Sequence, residues 1–339
     1  MRIKRIAVCL IAALFMVCTF AGCADNIPSE VNAKGAEKIS IVTTIFPVYD
    51  WTVNLLGENP AGAEITMLLD NGVDLHSYQP TAQDMIKISE CDMFVYVGGE
   101  SDEWVEDALK EAVNKDMVAV NLLDVLGDAV KAEEVVEGMQ GEEEEEQDHD
   151  HDHHHEDEEE EEKDEHVWLS LRNASAICEA LEESLERIDP ANADTYKKNL
   201  VSYKEKLAGL DEEYKKAVSA GSTDTVLFGD RFPFRYLVDD YNLNYYAAFV
   251  GCSAETEASF ETVTFLAGKV DELSLKCILT IENNDQKIAK TISDNTRDKN
   301  QTILTMDSMQ SVTAKDVKEG ASYLSIMEQN LSVLKEALK

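Results

Sequence analysis

Short apolar runs alternate with helix-patterned segments in two separate series, and this alternation limits the folds open to the chain more than any other feature. In the first series, runs at 39–45, 65–69, 93–97 and 117–120 alternate with helical patterns at 48–56, 81–89 and 102–113. Apolar runs of strand length separated by amphipathic helices are βα repeats, which predict a mostly parallel sheet. Thr81, with Asp84 three residues on, is a helix N-cap, and Gly98-Gly99 closes a strand where a binding loop would begin. The second series repeats the pattern, with strands near 225–229, 245–250, 276–281 and 302–306 and helices at 232–241, 260–273, 287–294 and 321–338. Between the two, Asp189-Pro190 sets a proline at a first helical position, and 191–220 contains no breaker except Gly209. The predicted fold class is therefore α/β. An N-terminal lobe (39–188) and a C-terminal lobe (222–339), each with a mostly parallel sheet, are joined by a long linking helix (189–221), with a cleft between the lobes.

The N-terminus reads as an export signal. Arg2, Lys4 and Arg5 precede an apolar run over 6–21, too short for a confident membrane span, and Phe20-Ala21-Gly22-Cys23 has the small residues and cysteine of a bacterial lipobox. The expectation is a signal peptide over 1–23, lipidation of Cys23, a polar tether over 24–38 and an extracytoplasmic, lipid-anchored protein. The alternative is an ordinary secretory signal with an incidental cysteine. Of the remaining cysteines, Cys91, Cys178, Cys252 and Cys277 match no zinc-cluster spacing. Two readings stand for Cys252 and Cys277, a disulfide or small buried hydrophobes.

A net charge of −38 disfavours nucleic acid and anionic membrane as partners. Much of that charge is local, because 142–165 holds seventeen acidic residues against one lysine. Such a tract has nothing to bury, so 138–165 is expected to be a disordered loop. It carries five of the seven histidines, His149, His151, His153, His154 and His155. A solvated charge run is one reading. Interleaved imidazoles and carboxylates also suit a weak collector of cations without fixed geometry, and solubility alone hardly explains the histidines.

Sites in parallel α/β sheets lie beyond the carboxyl ends of strands. That filter selects His76, in the loop after the second strand, and His166, which Trp168 and Leu169 should anchor to the body. Imidazole is the commonest ligand for borderline metals such as zinc. Each histidine alone is equally well a satisfied or exposed residue.

Several ordered motifs resemble the solute-binding lipoproteins of zinc and manganese ABC importers over nearly the whole mature chain. Ile45-Phe46-Pro47-Val48-Tyr49 resembles that family's opening motif. Asp74-Leu75-His76-Ser77-Tyr78-Gln79-Pro80-Thr81 resembles its first ligand loop, with Leu75 and Gln79 in place of the usual Pro and Glu. Asp164-Glu165-His166-Val167-Trp168-Leu169-Ser170 resembles the second, following the kind of acidic, histidine-rich insert that zinc-specific members often carry. Phe234, Tyr236, Tyr241 and Leu243 keep the spacing of the third, and Thr305-Met306-Asp307-Ser308 resembles the last. The resemblance implies high-affinity capture of Zn2+, with Mn2+ or Fe2+ as alternatives, and delivery by a monomer to a membrane permease and its ATPase. His76 and His166 would come from the first lobe and Asp307 from the second. Glu282 would be a further ligand, would orient a histidine, or would cap the next helix.

One position departs from the family. Where its third motif begins with His or Glu, this chain has Arg231, whose guanidinium will not ligate a cation. Either Asp230 replaces the missing ligand, or Asp230 and Arg231 pair and water completes the shell. The rival functions are a metalloenzyme and a surface adhesin or metal store. The chain lacks His-Glu-x-x-His, Gly-x-Ser-x-Gly and P-loop motifs, so no enzyme is expected.

Overall fold

β1 (Ser40–Thr43) and β3 (Met93–Tyr96) are almost wholly buried, as central strands covered by helices on both faces must be. The computed structural model describes residues 38–140, 162–253 and 257–339. In chain order the first lobe runs β1, α1 (Phe46–Leu56), β2 (Glu64–Met67), α2 (Ala82–Glu90), β3, α3 (Trp104–Lys110), β4 (Val118–Asn121), α4 (Leu122–Leu126) and α5 (Leu171–Ile188). After α6 (Ala193–Ser219) come β5 (Thr225–Phe232), α7 (Arg235–Tyr241), β6 (Asn244–Val250), α8 (Phe260–Leu273), β7 (Cys277–Ile281), α9 (Lys287–Asn295), β8 (Thr302–Met306), α10 (Ala314–Lys318) and α11 (Tyr323–Ala337). The sheets have the orders β2-β1-β3-β4 and β6-β5-β7-β8, and every pairing is parallel. The α/β class and the two parallel-sheet lobes are as expected. In both sheets the winding reverses beside the first strand, and such switch points open a crevice for ligands.

Local signals place the elements. Thr81 and Asp84 form a reciprocal capping box at the start of α2, and Thr313 with Asp316 does the same for α10. α6 begins only after a 3-10 turn at Pro190–Asn192, because the Asp189 N–H still donates to the Leu185 carbonyl at the end of α5 while its carboxylate accepts from Asn192 and Tyr196. One apolar core runs through both lobes, and α1, α5, α6 and α11 contribute Trp51, Ile177, Tyr214 and Tyr323 to it. Tyr214 donates to the Met327 carbonyl (2.6 Å), Tyr323 donates to the Trp168 carbonyl (2.7 Å), and the Trp168 indole donates to the Ser308 carbonyl (2.8 Å). The two bonds of Trp168 cross between the lobes, and that of Tyr214 ties the linking helix to the second.

Two expectations need correction. The loop expected over 138–165 is ordered at both ends: Gln140 N–H donates to Ala248, Lys163 bridges to Ala132, and Asp164 and Glu165 are 2% exposed. Neighbouring polar partners inside the body, absent from any local pattern, hold these charged residues. The rest of the expected loop, 141–161, lies outside the described residues, as do the expected signal peptide and all of the tether but residue 38. The disulfide reading also fails, because Cys252 and Cys277 are both free. Cys277 lies on buried β7 with its thiol toward the Glu336 carbonyl of α11, whereas Cys252 lies in the loop beyond β6. Among the described residues no helix is long and apolar enough to cross a membrane.

Asp50 on α1 sits in this core, accepting from the Tyr323 N–H (3.2 Å) and from Asn54 (3.1 Å), and burial pushes its pKa up to about 6. A raised carboxyl pKa means that the folded state holds the proton more tightly than the unfolded chain. The associated stability is complete below pH 4 and is lost as pH rises through about 6. Linkage places roughly 1.4 kcal/mol of this loss between pH 5 and pH 7.5. Urea unfolding of Asp50→Asn at those two pH values is expected to show that increment removed. An unchanged pH increment would mean that Asp50 is ionised throughout.

Candidate metal centre

His76 is held from its backbone outward. Past β2 the chain makes a 3-10 turn at Leu75–Ser77. Buried Leu75 anchors the turn, and Asp74 caps it by accepting the His76 N–H at 3.1 Å. His166 is held in the same way by Asp164, whose Oδ1 accepts the His166 N–H at 2.9 Å and also faces its Nδ1 at 3.0 Å. The 3-10 turn that follows, Val167–Leu169, is completely buried, so His166 has a rigid base and is itself fully buried.

The two imidazoles face one another, with Nε2 to Nε2 at 3.2 Å. His76 Nδ1 meets Ser101 Oγ at 2.8 Å and Glu165 Oε2 at 3.4 Å, while the carboxylate of Asp164 faces His166 Nδ1. With the Asp164 carboxylate at one Nδ1 and the Ser101 hydroxyl and Glu165 beside the other, the tautomer with both ring protons on Nδ1 directs the two Nε2 lone pairs into the same small space. Burial, and then the neighbouring His166, push the His76 pKa down to about 3, which keeps its ring neutral and able to ligate. Two opposed lone pairs repel unless a cation lies between them. Across a tetrahedral zinc with Zn–N bonds of about 2.0 Å, two nitrogens stand about 3.3 Å apart.

The supporting residues are tightly fitted. Glu165 also accepts the Ser101 N–H at 2.9 Å, and it fits only because Gly99, at φ +81°, has no side chain: a Cβ there would lie 2.3 Å from Glu165 Oε1. Asp102 accepts from the N–H groups of Val97 and Gly98 and so fixes the glycine turn on which Ser101 rides. Burial pushes the Asp102 pKa up to about 7. A cavity of about 380 Å³ opens beside the pair, lined by His76, Ser101, Glu133, Glu165, Arg231 and Cys252.

Arg231 reaches across the cleft to Asp74 (2.8 Å) and donates to the Ser253 carbonyl (3.4 Å). The alternative in which Asp230 and Arg231 neutralise each other through their side chains is thereby corrected, since the guanidinium pairs with Asp74. That pair offsets burial and holds Asp74 below the usual carboxylate range. Asp230 is 4% exposed, and its two oxygens accept the N–H groups of Arg231 and Ile281, both at 2.9 Å. Glu282 accepts from Ser308 N–H and Oγ, both at 2.7 Å, and Asp307 accepts from the Met309 N–H at 2.7 Å. Burial and then Glu282 push Asp307 up to about 7. A second cavity, of about 590 Å³ and lined by Asp74, Asp230, Arg231 and Glu282, lies beyond Arg231.

The structure thus brings His76 and His166 together but not with Asp230, Glu282 or Asp307. Among the described residues, the one set of three potential ligands whose atoms all lie within 4.8 Å of one another is His76, His166 and Cys252. Sequence reasoning missed Cys252 and the supporting roles of Asp164, Glu165 and Ser101. The position of Cys252 just past β6 satisfied the strand-end filter. Cysteine spacing along the chain could not reveal it, because its partners come from distant loops. The five tract histidines, His149, His151, His153, His154 and His155, lie outside the described residues.

Two parallel α/β lobes, a long helix between them and a polar cleft at the strand ends define a two-lobed solute-binding protein. Within that class, residues 41–337 match the family described as zinc-uptake complex component A, periplasmic (ZnuA), and the chain belongs to that family. It is 32% identical over 319 residues to the zinc-binding lipoprotein AdcA of Streptococcus pneumoniae, with 93% of this chain and 59% of the relative covered. It is 29% identical over 329 residues to the high-affinity zinc uptake system protein ZnuA of Bacillus subtilis, with 97% and 96% covered. The crystal structure of the Zn(II)-bound ZnuA-like domain of S. pneumoniae AdcA superposes with a TM-score of 0.67 at 28% identity, covering 89% of this chain and 99% of that one. The chain spans 57–59% of the length of the AdcA relatives it matches.

Proposed function

We propose that this protein captures zinc at the cleft between its lobes and delivers it to the permease of an ABC importer, driven by a separate ATPase. The observation that carries the reading is the pair of buried imidazoles with Nε2 atoms 3.2 Å apart and a hydrogen-bond acceptor on each Nδ1. A borderline cation suits that donor set, and two of the four positions of a tetrahedral zinc remain for other donors. The names of the AdcA and ZnuA relatives support zinc over manganese or iron. Glu282 and Asp230 act in this reading as positioning residues: Glu282 fixes Ser308, whose carbonyl receives the Trp168 indole two residues from His166. Asp307 holds the loop after β8 in the same manner.

The export motif and the lipoprotein name of the S. pneumoniae relative support tethering outside the cytoplasm through lipid on Cys23. Binding rather than catalysis fits a site whose histidines are all engaged in holding the cargo. The tract histidines gather zinc weakly around the protein.

Titration calorimetry should be run on a variant in which 142–161 is replaced by a short Gly-Ser linker. This leaves the Glu162 carbonyl to receive the Glu133 N–H as it does now. One tight zinc site is expected to remain, and only weak sites to vanish. Loss of the tight site with the tract would locate capture in the tract and overturn the proposal.

A further inference from the structure

We propose that Cys252 is a direct ligand of the captured metal, which makes the site a two-histidine, one-thiolate centre. The inference deepens the zinc-capture reading and rests on it.

Its basis is geometric. The Cys252 sulfur and one nitrogen from each of His76 and His166 all lie within 4.8 Å of one another, and the loop bearing Cys252 is clamped on several sides. The Cys252 N–H donates to Glu133 Oε1 at 3.1 Å, and Arg231 holds the next carbonyl, that of Ser253. The preceding residue, Gly251, lets the loop lie against His166, since a Cβ there would stand 2.9 Å from His166 Cε1. Cys252 is not packed as a small hydrophobe. It lines a polar cavity with His76, Glu133 and Arg231, whereas Cys91, Cys178 and Cys277 are buried. Arg231 occupies the position from which the resemblance expected a third ligand, and a guanidinium offers no lone pair. The thiol enters the cleft from the next strand end instead.

In a tetrahedral zinc site, bonds of about 2.3 Å to sulfur and 2.0 Å to nitrogen put each nitrogen about 3.5 Å from the sulfur. The Cys252 loop therefore reaches the site with a movement on the order of an ångström. On binding, the S–H bond gives way to a Zn–S bond, and one proton leaves to solvent through the cavity, with no change in oxidation state. Water from the cavity occupies the fourth position. A thiolate favours zinc over manganese, which prefers oxygen ligands, so this residue contributes to metal selectivity.

The test uses the full chain loaded with Co(II), whose thiolate complexes show a ligand-to-metal charge-transfer band in the near ultraviolet that histidine and carboxylate complexes lack. The band is expected in the wild type and absent in Cys252→Ser and Cys252→Ala. Zinc affinity should fall about 10- to 100-fold in those variants rather than disappear. In the wild-type chain, where no variant needs to fold, zinc should shield Cys252 from alkylation as read by peptide mass spectrometry. If cobalt and zinc bind in a manner that depends on His76 and His166, but the band is missing and Cys252 alkylates at its metal-free rate, the thiolate proposal is overturned and the histidine reading stands. If loss of His76 and His166 leaves tight binding untouched, the zinc-capture reading fails with it.

Discussion

Alanine at both His76 and His166 is expected to lower zinc affinity by more than about 1000-fold, equivalent to about 4 kcal/mol, while the metal-free protein still unfolds in one cooperative transition at a lower midpoint. On the proposed assignment the affinity falls because the two imidazoles already face one another. Their nitrogens stand 3.2 Å apart before any metal arrives, so little reorganisation opposes binding. Each single variant should lose much of that affinity, because one imidazole and the Cys252 thiol then face the cation without the second ring. Stability of the metal-free protein should fall moderately, since truncating the fully buried His166 ring leaves a cavity beside Trp168 and takes a partner from the buried Asp164 carboxylate. Calorimetry of the tract-replaced protein reads the first effect, and urea unfolding in chelator reads the second. Tight binding retained by the double variant would refute the assignment.

The largest effect on stability is expected at Trp168. Its ring is completely buried against His166, at a centroid separation of 5.3 Å, its indole N–H donates to Ser308 in the second lobe, and its carbonyl receives the Tyr323 hydroxyl of α11. Truncation of a buried tryptophan to alanine typically costs about 3–5 kcal/mol, through lost transfer energy and the cavity left behind. Trp168→Phe keeps much of the volume but leaves the buried Ser308 carbonyl without its donor, at about 1–3 kcal/mol. Trp168→Phe should also weaken zinc binding, because the turn that seats His166 loses its tie to the second lobe. Denaturant midpoints and zinc titrations of the two variants check this ordering. If Trp168→Phe unfolds like the wild type, the indole bond carries no weight.

Much of the fold was legible because parallel strands and the helices that cover them write their burial into local pattern. The run at 277–281 is buried at every position, and α2 begins at Thr81, where the cap signal stood. The acidic tract misled at its edges for the opposite reason. Asp164 and Glu165 look like a continuation of the charge run, yet they are buried: Asp164 faces the neighbouring His166 ring, and Ser101 and His76, far away in the chain, supply polar partners to Glu165. Local composition could not anticipate a charge satisfied at long range.

The candidate centre divides in the same way. His76 and His166 could be picked out because each sits in a loop past an apolar segment and each motif resembles a family ligand. Asp230, Glu282 and Asp307 satisfied the same positional rule, yet tertiary packing gives each an oxygen that accepts a backbone N–H and keeps them out of the cluster formed by His76 and His166. Position past a strand brings a residue to the cleft; the partners that enclose it decide where its side chain is spent.

By itself, then, the sequence determined the two βα lobes, the long helix between them and two histidines aimed at the cleft, because helix caps, strand runs and loop positions are local properties. Only the tertiary structure decided that Arg231 spans the cleft to Asp74, that the second lobe's carboxylates hold their own loops, and that Cys252 completes a triangle with His76 and His166. Those outcomes depend on distances between atoms from separate strands, and such distances exist only once both sheets have wound and the shared core has brought their carboxyl ends face to face.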